Sequence, residues 1–282
     1  MILTVIHHRG LISGLLFLML LTSCTIENQL ANGFIKKLPE IDIQLFTPDV
    51  VYKYNHKGEE IFGFDKLSNA IQDSALYAHS RYIQFVNDSL FLDNYINNFI
   101  DELRKLGFKV YVDASIDSVL LQKPQAYILN VAQTQMDEYK LPFEDSESID
   151  DSVYYKKFEL NAVDLSCWFE LSKLNAVKPV KSVLYSSFSG SDGFNGRFFV
   201  DPFTYEVRYK YKIDSLNIND VYELASFAGK KNASYLFDFF MNQYIAYHMP
   251  QGEDPMDYFH YNRFRRYITS AGDEKFELLQ SK

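Results

Sequence analysis

Four stretches after Pro124 alternate apolar and polar residues with a period of two, and this pattern constrains the fold more than any other feature. Their sequences are "AYILNVAQTQM", "KFELNAVDLSCWFELSKL", "VKSVLYSSF" and "GRFFVDPFTYEVRYKYKI". Because successive side chains in a strand point to opposite faces, each stretch predicts a strand with one buried and one wet face. In the last stretch the predicted apolar face runs from Phe203 to Ile213. Consecutive strands joined by short turns predict an antiparallel meander.

The segment "NDSLFLDNYINNFIDELRKLGFKVYV" predicts an amphipathic helix followed by a strand. Asn87 is of a type that caps helix starts, and Gly107 suits the left-handed position that ends a helix. Between them one apolar face recurs at helical spacing, formed by Leu92, Ile96, Phe99, Leu103 and Leu106.

A second helical region is predicted over residues 220–248, interrupted at Gly229. Asp220 and Glu223 have the spacing of a capping box, and Asn232 is predicted to cap the second stretch. Upstream, "IDIQLF", "VVYKY" and "RYIQFV" are strand-like. Together these patterns predict an α+β fold. Its antiparallel-dominated sheet has five or more strands, with helices 88–106 and 220–248 on one face.

The chain begins with an apolar run, "LISGLLFLMLL", that follows Arg9 and ends before Thr22. A helix that spans a bilayer needs about 20 apolar residues, so this shorter run predicts the core of a secretory signal. The next residues, "LTSC" ending at Cys24, resemble a bacterial lipobox. That resemblance implies a diacylglyceryl group on Cys24 and cleavage before it. The alternative is a plain signal peptide with a stray cysteine.

The lipobox resemblance predicts residues 1–23 as signal peptide. The patterns along the rest of the chain predict 24–38 as tether, 39–250 as the α+β domain and 251–282 as a C-terminal extension. Resemblance to sorted lipoproteins implies an outer-membrane anchor, because Thr25 stands where an Asp would signal inner-membrane retention. Some bacteria export lipoproteins to the cell surface with an acidic run just after the cysteine, whereas "CTIENQ" has Glu27 as its only acidic residue. This comparison favours the periplasmic side over the cell surface. Palmitate-type acylation and membrane contact through Cys24 are the expected consequences.

The formal net charge of −9 argues against nucleic acid as a partner, since phosphates call for basic patches. If Cys24 is acylated, Cys167 has no disulfide partner. Its parity within "NAVDLSCWFEL" places it on the buried face of a strand, where a free cysteine behaves as a small hydrophobe. No catalytic motif accompanies it, and the mature histidines form no metal-ligand spacing. No cofactor, metal or catalytic residue is predicted.

The order of lipobox, strand, amphipathic helix, strand, meander and C-terminal helices resembles the ABC-transport auxiliary lipoproteins. It is also similar to the N-terminal domain of the Tol-system propeller protein. The likeness is carried by "NYINNFIDELRKLGFKVYV", "AYILNVAQTQ" and "ELASFAGKKNASYLFDFFMNQYI". It implies a non-enzymatic partner in envelope transport, with no catalytic residues to transfer. The chain departs from that pattern in its richer aromatic content and in the segment after Pro250.

Three further segments are candidate sites. The acidic "FEDSESIDDS" is predicted as a solvated hairpin loop, with a calcium loop as the alternative. The glycine-rich "SGSDGFNG" is predicted as a hairpin turn. In "YFHYNRFRRYI" aromatic and basic residues lie together, which suits a membrane or partner contact, or else packing on the body. The predicted contact residues are Arg263, Phe264, Arg265, Arg266 and Tyr267.

These observations predict a membrane-anchored envelope lipoprotein. It would act as a non-enzymatic assembly or transport-accessory factor that binds an envelope protein or lipid. The first alternative is a surface carbohydrate-binding lipoprotein, in which Trp168 and exposed Tyr and Phe rings stack on sugars. The second is a hydrolase with a dispersed site, for which two facing carboxylates in a pocket would be evidence.

Overall fold

A computed structural model of the chain describes residues 26–38, 40–58, 64–112, 120–176 and 181–281. The chain divides into two compact units. The first, called here the terminal unit, combines the segment up to Glu40 with Ser234–Lys275. The second, called the sheet unit, combines Ile41–Ala233 with the residues from Phe276 onward. The two units meet along the chain at residues 40/41, 233/234 and 275/276, so the segment after Pro250 contributes to both.

The described ranges contain four helices: α1 Ile26–Lys37, α2 Asn69–Ala78, α3 Asp88–Lys105 and α4 Ile218–His248. Their strands are β1 Asp42–Phe46, β2 Tyr52–Asn55, β3 Lys109–Tyr111, β4 Ala126–Ile149, β5 Ser152–Lys173, β6 Lys181–Ser191, β7 Gly193–Val200, β8 Val207–Asp214, β9 Phe259–Asn262, β10 Tyr267–Ser270 and β11 Glu277–Ser281.

The sheet unit is built on a seven-stranded mixed sheet in the order β11-β6-β5-β4-β1-β3, with β2 also paired to β4. Strand β1 is parallel to β3 and β4, and β2 is parallel to β4. The long β4–β5 ladder, the β5–β6 ladder and the β6–β11 ladder are antiparallel. The predicted α+β fold class is therefore confirmed, as are the strands predicted at β1, β2 and β3.

Helices α3 and α4 pack on one face of this sheet. The Phe99 ring of α3 lies 5.9 Å from the Phe169 ring of β5. Asn232 of α4 donates to the Tyr95 hydroxyl at 2.7 Å and accepts from the Ser186 hydroxyl at 2.7 Å. Helix α3 begins as predicted, with the Asn87 side chain accepting from the Leu90 amide. Asn232 is thus a buried bridge between elements, and its predicted role as a helix cap is wrong.

Gly229 does not interrupt α4, which is continuous across it. A Cβ atom at this position would lie 2.3 Å from the carbonyl oxygen of Tyr95 and 3.1 Å from the amide nitrogen of Phe99. The glycine therefore lets the backbones of α3 and α4 approach each other.

The N-terminal cap of α4 also differs from the predicted one. The Asn217 amide donates to Asp220 Oδ2 at 2.7 Å, and the Asp220 amide donates to the Asn217 side chain.

The stretch predicted as one strand through Phe203 is two strands, β7 and β8, joined by a turn at residues 201–206. Asp201 accepts from the amides of Phe203 and Thr204, which bends the chain there. Phe203 is 91% exposed, so the predicted buried face does not begin at this residue. We call the paired strands β7 and β8 the β7–β8 ribbon. From Val207 onward the alternation persists, but the aromatic face of the ribbon is only partly buried.

Two loop predictions are also corrected. The acidic segment 143–152 is mostly ladder, and its turn is confined to Asp150 and Asp151, with Asp150 at a φ of 51°. The glycine-rich segment is not a hairpin turn, because β7 pairs with β8 and not with β6. Asp192 separates β6 from β7, and its buried carboxylate accepts from the amides of Asn161 and Leu216. The segment "RYIQFV" contains a short 3-10 helix at Ile83–Phe85 instead of a strand.

The terminal unit combines α1, the last part of α4 and the β9–β10 hairpin. Residues 26–37, predicted as tether, form the packed helix α1 because Ala31 and Phe34 are apolar at helical spacing and become buried. The Phe34 ring lies 5.5 Å from the Phe237 ring and 5.4 Å from the Tyr244 ring. No extended linker therefore occupies residues 26–37.

Candidate functional site

The turn of the β9–β10 hairpin carries the predicted contact residues Arg263, Phe264, Arg265, Arg266 and Tyr267. We call these five residues the hairpin tip. Phe264 is 84% exposed, and the Arg263 guanidinium lies 4.5 Å from its ring centre, a cation–π contact. The Arg265 amide donates to the Asn262 side chain at 3.0 Å, which closes the turn. Among the described residues, no carboxylate lies within ion-pairing distance of Arg265 or Arg266.

The base of the hairpin is fastened to α4 by polar contacts. The Asn242 side chain accepts from the Phe259 amide at 2.8 Å and donates to the Phe259 carbonyl at 2.7 Å. Buried Asp238 accepts from the Tyr261 amide at 2.9 Å and contacts His260 Nδ1 at 2.5 Å. Burial raises the pKa of Asp238, while the hydrogen bond from His260 opposes that shift. The sequence alone does not bring this pair together, because Asp238 lies on α4 and His260 on β9.

The packed rings and the exposed rings of this segment are separate sets. Phe259 is buried, and the Tyr261 ring lies 5.3 Å from the Phe237 ring. Phe264 and Tyr267 are exposed. The two alternatives predicted for this segment thus apply to different residues: the strand β9 packs on the body, and the hairpin tip faces solvent.

Within the terminal unit the hairpin tip lies at the opposite end from Ile26. Glu27 accepts from the Met256 amide at 2.6 Å, and Ile26 lines a groove with Met249. Strand β9 passes Asn242 first and then Asp238, so it runs towards the earlier part of α4. Tyr261, just before the tip, contacts Phe237, which lies about three helical turns before Met249, so the tip extends away from Ile26.

Of the two cysteines, only Cys167 lies within the described residues. Cys24, the predicted lipid attachment site, lies outside the described residues. Cys167 is fully buried in β5, which confirms the predicted core position. Burial raises the pKa of the Cys167 thiol to about 12. A buried thiol that stays protonated at neutral pH is a packing group and not a nucleophile.

The sheet has a second, polar face, opposite the one on which α3 and α4 pack. On β5 and β6 this face carries Trp168 and Tyr185, which are partly exposed and whose rings lie 5.0 Å apart. The Tyr185 hydroxyl contacts the Ser166 hydroxyl at 3.1 Å. The Ser166 hydroxyl also donates to the Ser187 hydroxyl at 3.3 Å. On β4, Gln133 donates to Gln135 at 2.9 Å. We call this surface the polar face.

Two carboxylates lie opposite each other on the polar face. Asp137 of β4 and Asp164 of β5 are register partners in the ladder. His56 Nε2 lies 3.0 Å from Asp137, and the Tyr139 hydroxyl donates to Asp164 at 3.0 Å. These contacts fix the side chains as acceptors on a sheet surface, an arrangement suited to recognising hydroxyl and amide groups. The period-two pattern predicts that β4 and β5 have a polar face. It does not predict which side chains are neighbours across the strands, because that depends on the register.

A buried ion pair supports the sheet unit from its helix-covered side. Lys57 Nζ lies 2.6 Å from Glu138 Oε1, with the Lys57 side chain 5% and the Glu138 side chain 0% exposed. Lys57 also donates to the Asn161 side chain at 2.8 Å. Glu138 accepts further bonds from the amides of Arg81, Tyr82 and Ile83 and from the Ser80 hydroxyl. Because its hydrogen bonds are satisfied within the fold, this network holds the segment 80–83 in place, and we assign it a structural role.

Within the described ranges, no group of three or more His, Cys, Asp or Glu side chains is arranged to hold a metal ion. None of the helices in the same ranges is both long and apolar enough to cross a membrane. Comparison of the sequence with protein-family models and with curated proteins finds no match. The resemblance to transport-accessory lipoproteins therefore stays a prediction.

Proposed function

We propose that this protein is a lipid-anchored lipoprotein of the bacterial envelope, held in the outer membrane on its periplasmic side through Cys24. In this proposal it is a non-enzymatic assembly or transport-accessory factor that binds another envelope component. The anchor is supported by the "LTSC" motif after a short apolar run. The observation that carries the binding role is the hairpin tip, a fixed turn with an exposed ring and arginines.

The chemistry of the hairpin tip favours a partner with an acidic surface. Arginine and aromatic residues are enriched among the residues that dominate binding energy at protein interfaces. The tip concentrates three arginines on a chain whose formal net charge is −9. Contacts at the base of the hairpin hold the backbone of the turn in place, so binding does not have to order this backbone.

The anchor is tested by growing cells with labelled fatty acid. The wild-type chain should incorporate the label, and Cys24→Ala should lose it and remain unprocessed. A wild-type chain without label would contradict the lipoprotein proposal.

The binding role is tested by pull-down from detergent-solubilised envelopes with wild type and with Arg263→Ala/Arg265→Ala/Arg266→Ala. We expect the triple variant to lose its partner. The matched control is Arg197→Ala/Lys210→Ala/Lys212→Ala, which removes the same charge from the exposed face of the β7–β8 ribbon. Equal loss in both variants would mean that net charge, and not the hairpin tip, governs capture.

A second candidate function, carbohydrate binding, is favoured by the Trp168–Tyr185 ring pair on the polar face. Rings beside fixed amide, hydroxyl and carboxylate groups can stack on a sugar and bind its hydroxyls. Titration calorimetry with neutral oligosaccharides tests this candidate. Trp168→Ala should abolish binding while the far-UV circular dichroism spectrum is retained, and absence of heat with the wild type would remove the candidate.

A further inference from the structure

The end of the terminal unit at Ile26 forms an apolar groove of about 340 Å³. It is lined by Ile26, Glu27, Met249, Glu253, Asp254 and Met256. Met256 is 86% exposed and Ile26 is 48% exposed. Large apolar side chains gathered at one end and left in water mark an interaction surface. We call Ile26, Met249 and Met256 the groove residues.

The distance along the chain between the groove and the lipid attachment site is short. Only Thr25 separates Cys24 from Ile26. Two residues span at most about 7 Å, even when fully extended. Since α1 is packed from Ile26 onward, no longer linker in this part of the chain can separate the groove from an acylated cysteine. The lipid chains on Cys24 would lie in the bilayer, so the groove must lie at its surface.

We infer that the end of the terminal unit bearing the groove residues docks directly on the bilayer, with Ile26 and Met256 at the boundary between headgroups and acyl chains. This inference rests on the proposed acylation of Cys24 and makes it more specific. The anchor then acts together with a protein surface and does not act as a free tether. Two acyl chains already anchor a protein stably, so the docked surface adds a fixed orientation to the anchor.

The rim of the groove indicates which lipids fit it. Glu253 and Asp254 are exposed beside the apolar side chains, and Glu27 is buried at the groove wall. Carboxylates near the surface repel anionic headgroups and attract ammonium groups. The surface that fits is therefore a bilayer whose headgroups carry an ammonium, and a strongly anionic bilayer is disfavoured. The arginine-bearing hairpin tip, at the other end of the unit, is then free to meet a partner.

The test uses the full acylated chain reconstituted in liposomes of zwitterionic lipid. A nitroxide is attached at Met256→Cys, with a second sample labelled at Phe264→Cys on the hairpin tip as a matched control of equal exposure. Collisional relaxation by oxygen and by a water-soluble nickel complex measures the depth of each nitroxide. We expect position 256 to be protected from the nickel complex and position 264 to be fully accessible.

Each outcome has a distinct meaning. A labelled Cys24 together with a water-exposed probe at position 256 overturns the docking surface and leaves the lipoprotein proposal standing. Protection at both positions overturns the end-on arrangement. An unacylated Cys24 overturns the anchor and the inference with it. As a second measurement, Met256→Asp should speed dissociation from zwitterionic liposomes about tenfold, because a charge enters the boundary region, whereas Phe264→Asp should leave the rate unchanged.

Discussion

Gly229 shows how a single missing side chain sets the distance between two helices. A Cβ atom there would meet the Tyr95 carbonyl at 2.3 Å, and backbone atoms cannot move aside as a side chain can. We expect Gly229→Ala to lower the free energy of unfolding by about 3 kcal/mol, through overpacking.

A second glycine in the same chain provides the control for this prediction. Gly33 lies inside α1 with no atom within 4 Å of its would-be Cβ. Gly33→Ala should stabilise the protein by about 0.5–1 kcal/mol. Thermal melts of the two variants check the pair, and a Gly229→Ala variant as stable as wild type would show that the helices do not pack this closely.

The ion pair between Glu138 and Lys57 links stability to pH. Burial by itself would raise the pKa of Glu138, but hydrogen bonds from Lys57 and from the amides of segment 80–83 lower it below its usual value. A carboxyl with a lower pKa in the folded state stabilises the protein above its unfolded pKa. That stabilisation is lost as the pH falls through the folded pKa.

We therefore expect Glu138→Gln to cost about 3–5 kcal/mol at neutral pH, because a buried lysine loses its counterion. The difference from wild type should shrink as the pH falls below the ordinary range for glutamate. Urea unfolding at several pH values measures it. Glu159→Gln, which breaks the exposed pair with Lys140, should cost less than about 1 kcal/mol. A cost for Glu138→Gln that does not change with pH would contradict this linkage.

At the scale of elements, the hairpin tip yields a prediction about lipids. Each arginine near an anionic surface contributes about 1 kcal/mol, so three would contribute about 3 kcal/mol if additive. The net charge of the chain opposes such contact, and the tip lies far from the groove residues. We expect the protein without its acyl chains to show no preference for anionic over neutral liposomes. A preference for anionic liposomes that the triple arginine variant abolishes would identify lipid as the ligand of the tip.

The elements differ in how far the sequence predicts them. Helix α3 has caps at both ends and one apolar stripe, so local rules are sufficient for its start and end. The β7–β8 ribbon was predicted as one strand because its alternation continues through the turn, where Asp201 bends the chain. Helix α4 was predicted as two pieces because a helical glycine usually weakens a helix, whereas here α3 requires it. A local side-chain contact decides the first case, and a tertiary contact decides the second.

The same reasoning applies to the candidate sites. The arginines and rings of the hairpin tip are adjacent in sequence, so composition alone could identify them. The groove residues and the polar face each combine side chains that are distant in sequence. Met249, Met256 and Ile26 carry no common motif, and their proximity follows from the packing of α1 on α4. Cross-strand neighbours such as Trp168 and Tyr185 depend on register, which no local pattern specifies.

For the whole molecule, strand β11 gives a prediction about stability. The Phe276 ring, just before this strand, is buried and lies 5.0 Å from the Phe169 ring. Phe276→Ala should lower the free energy of unfolding by about 3–5 kcal/mol, as for other buried aromatic residues. Denaturant unfolding of the whole protein measures this change. Phe264→Ala serves as the control, because its exposed ring should contribute little, and equal effects of the two changes would contradict the packing described.

The position of β11 also determines when the protein can finish folding. Ser281 pairs with Ser182, and this contact closes a loop of roughly a hundred residues. The edge of the sheet at β6 is therefore completed by a pairing between residues that lie far apart in the sequence. Because the chain must close this long loop before the pairing stabilises it, we expect completion of the β6 edge to be a late and slow step in folding.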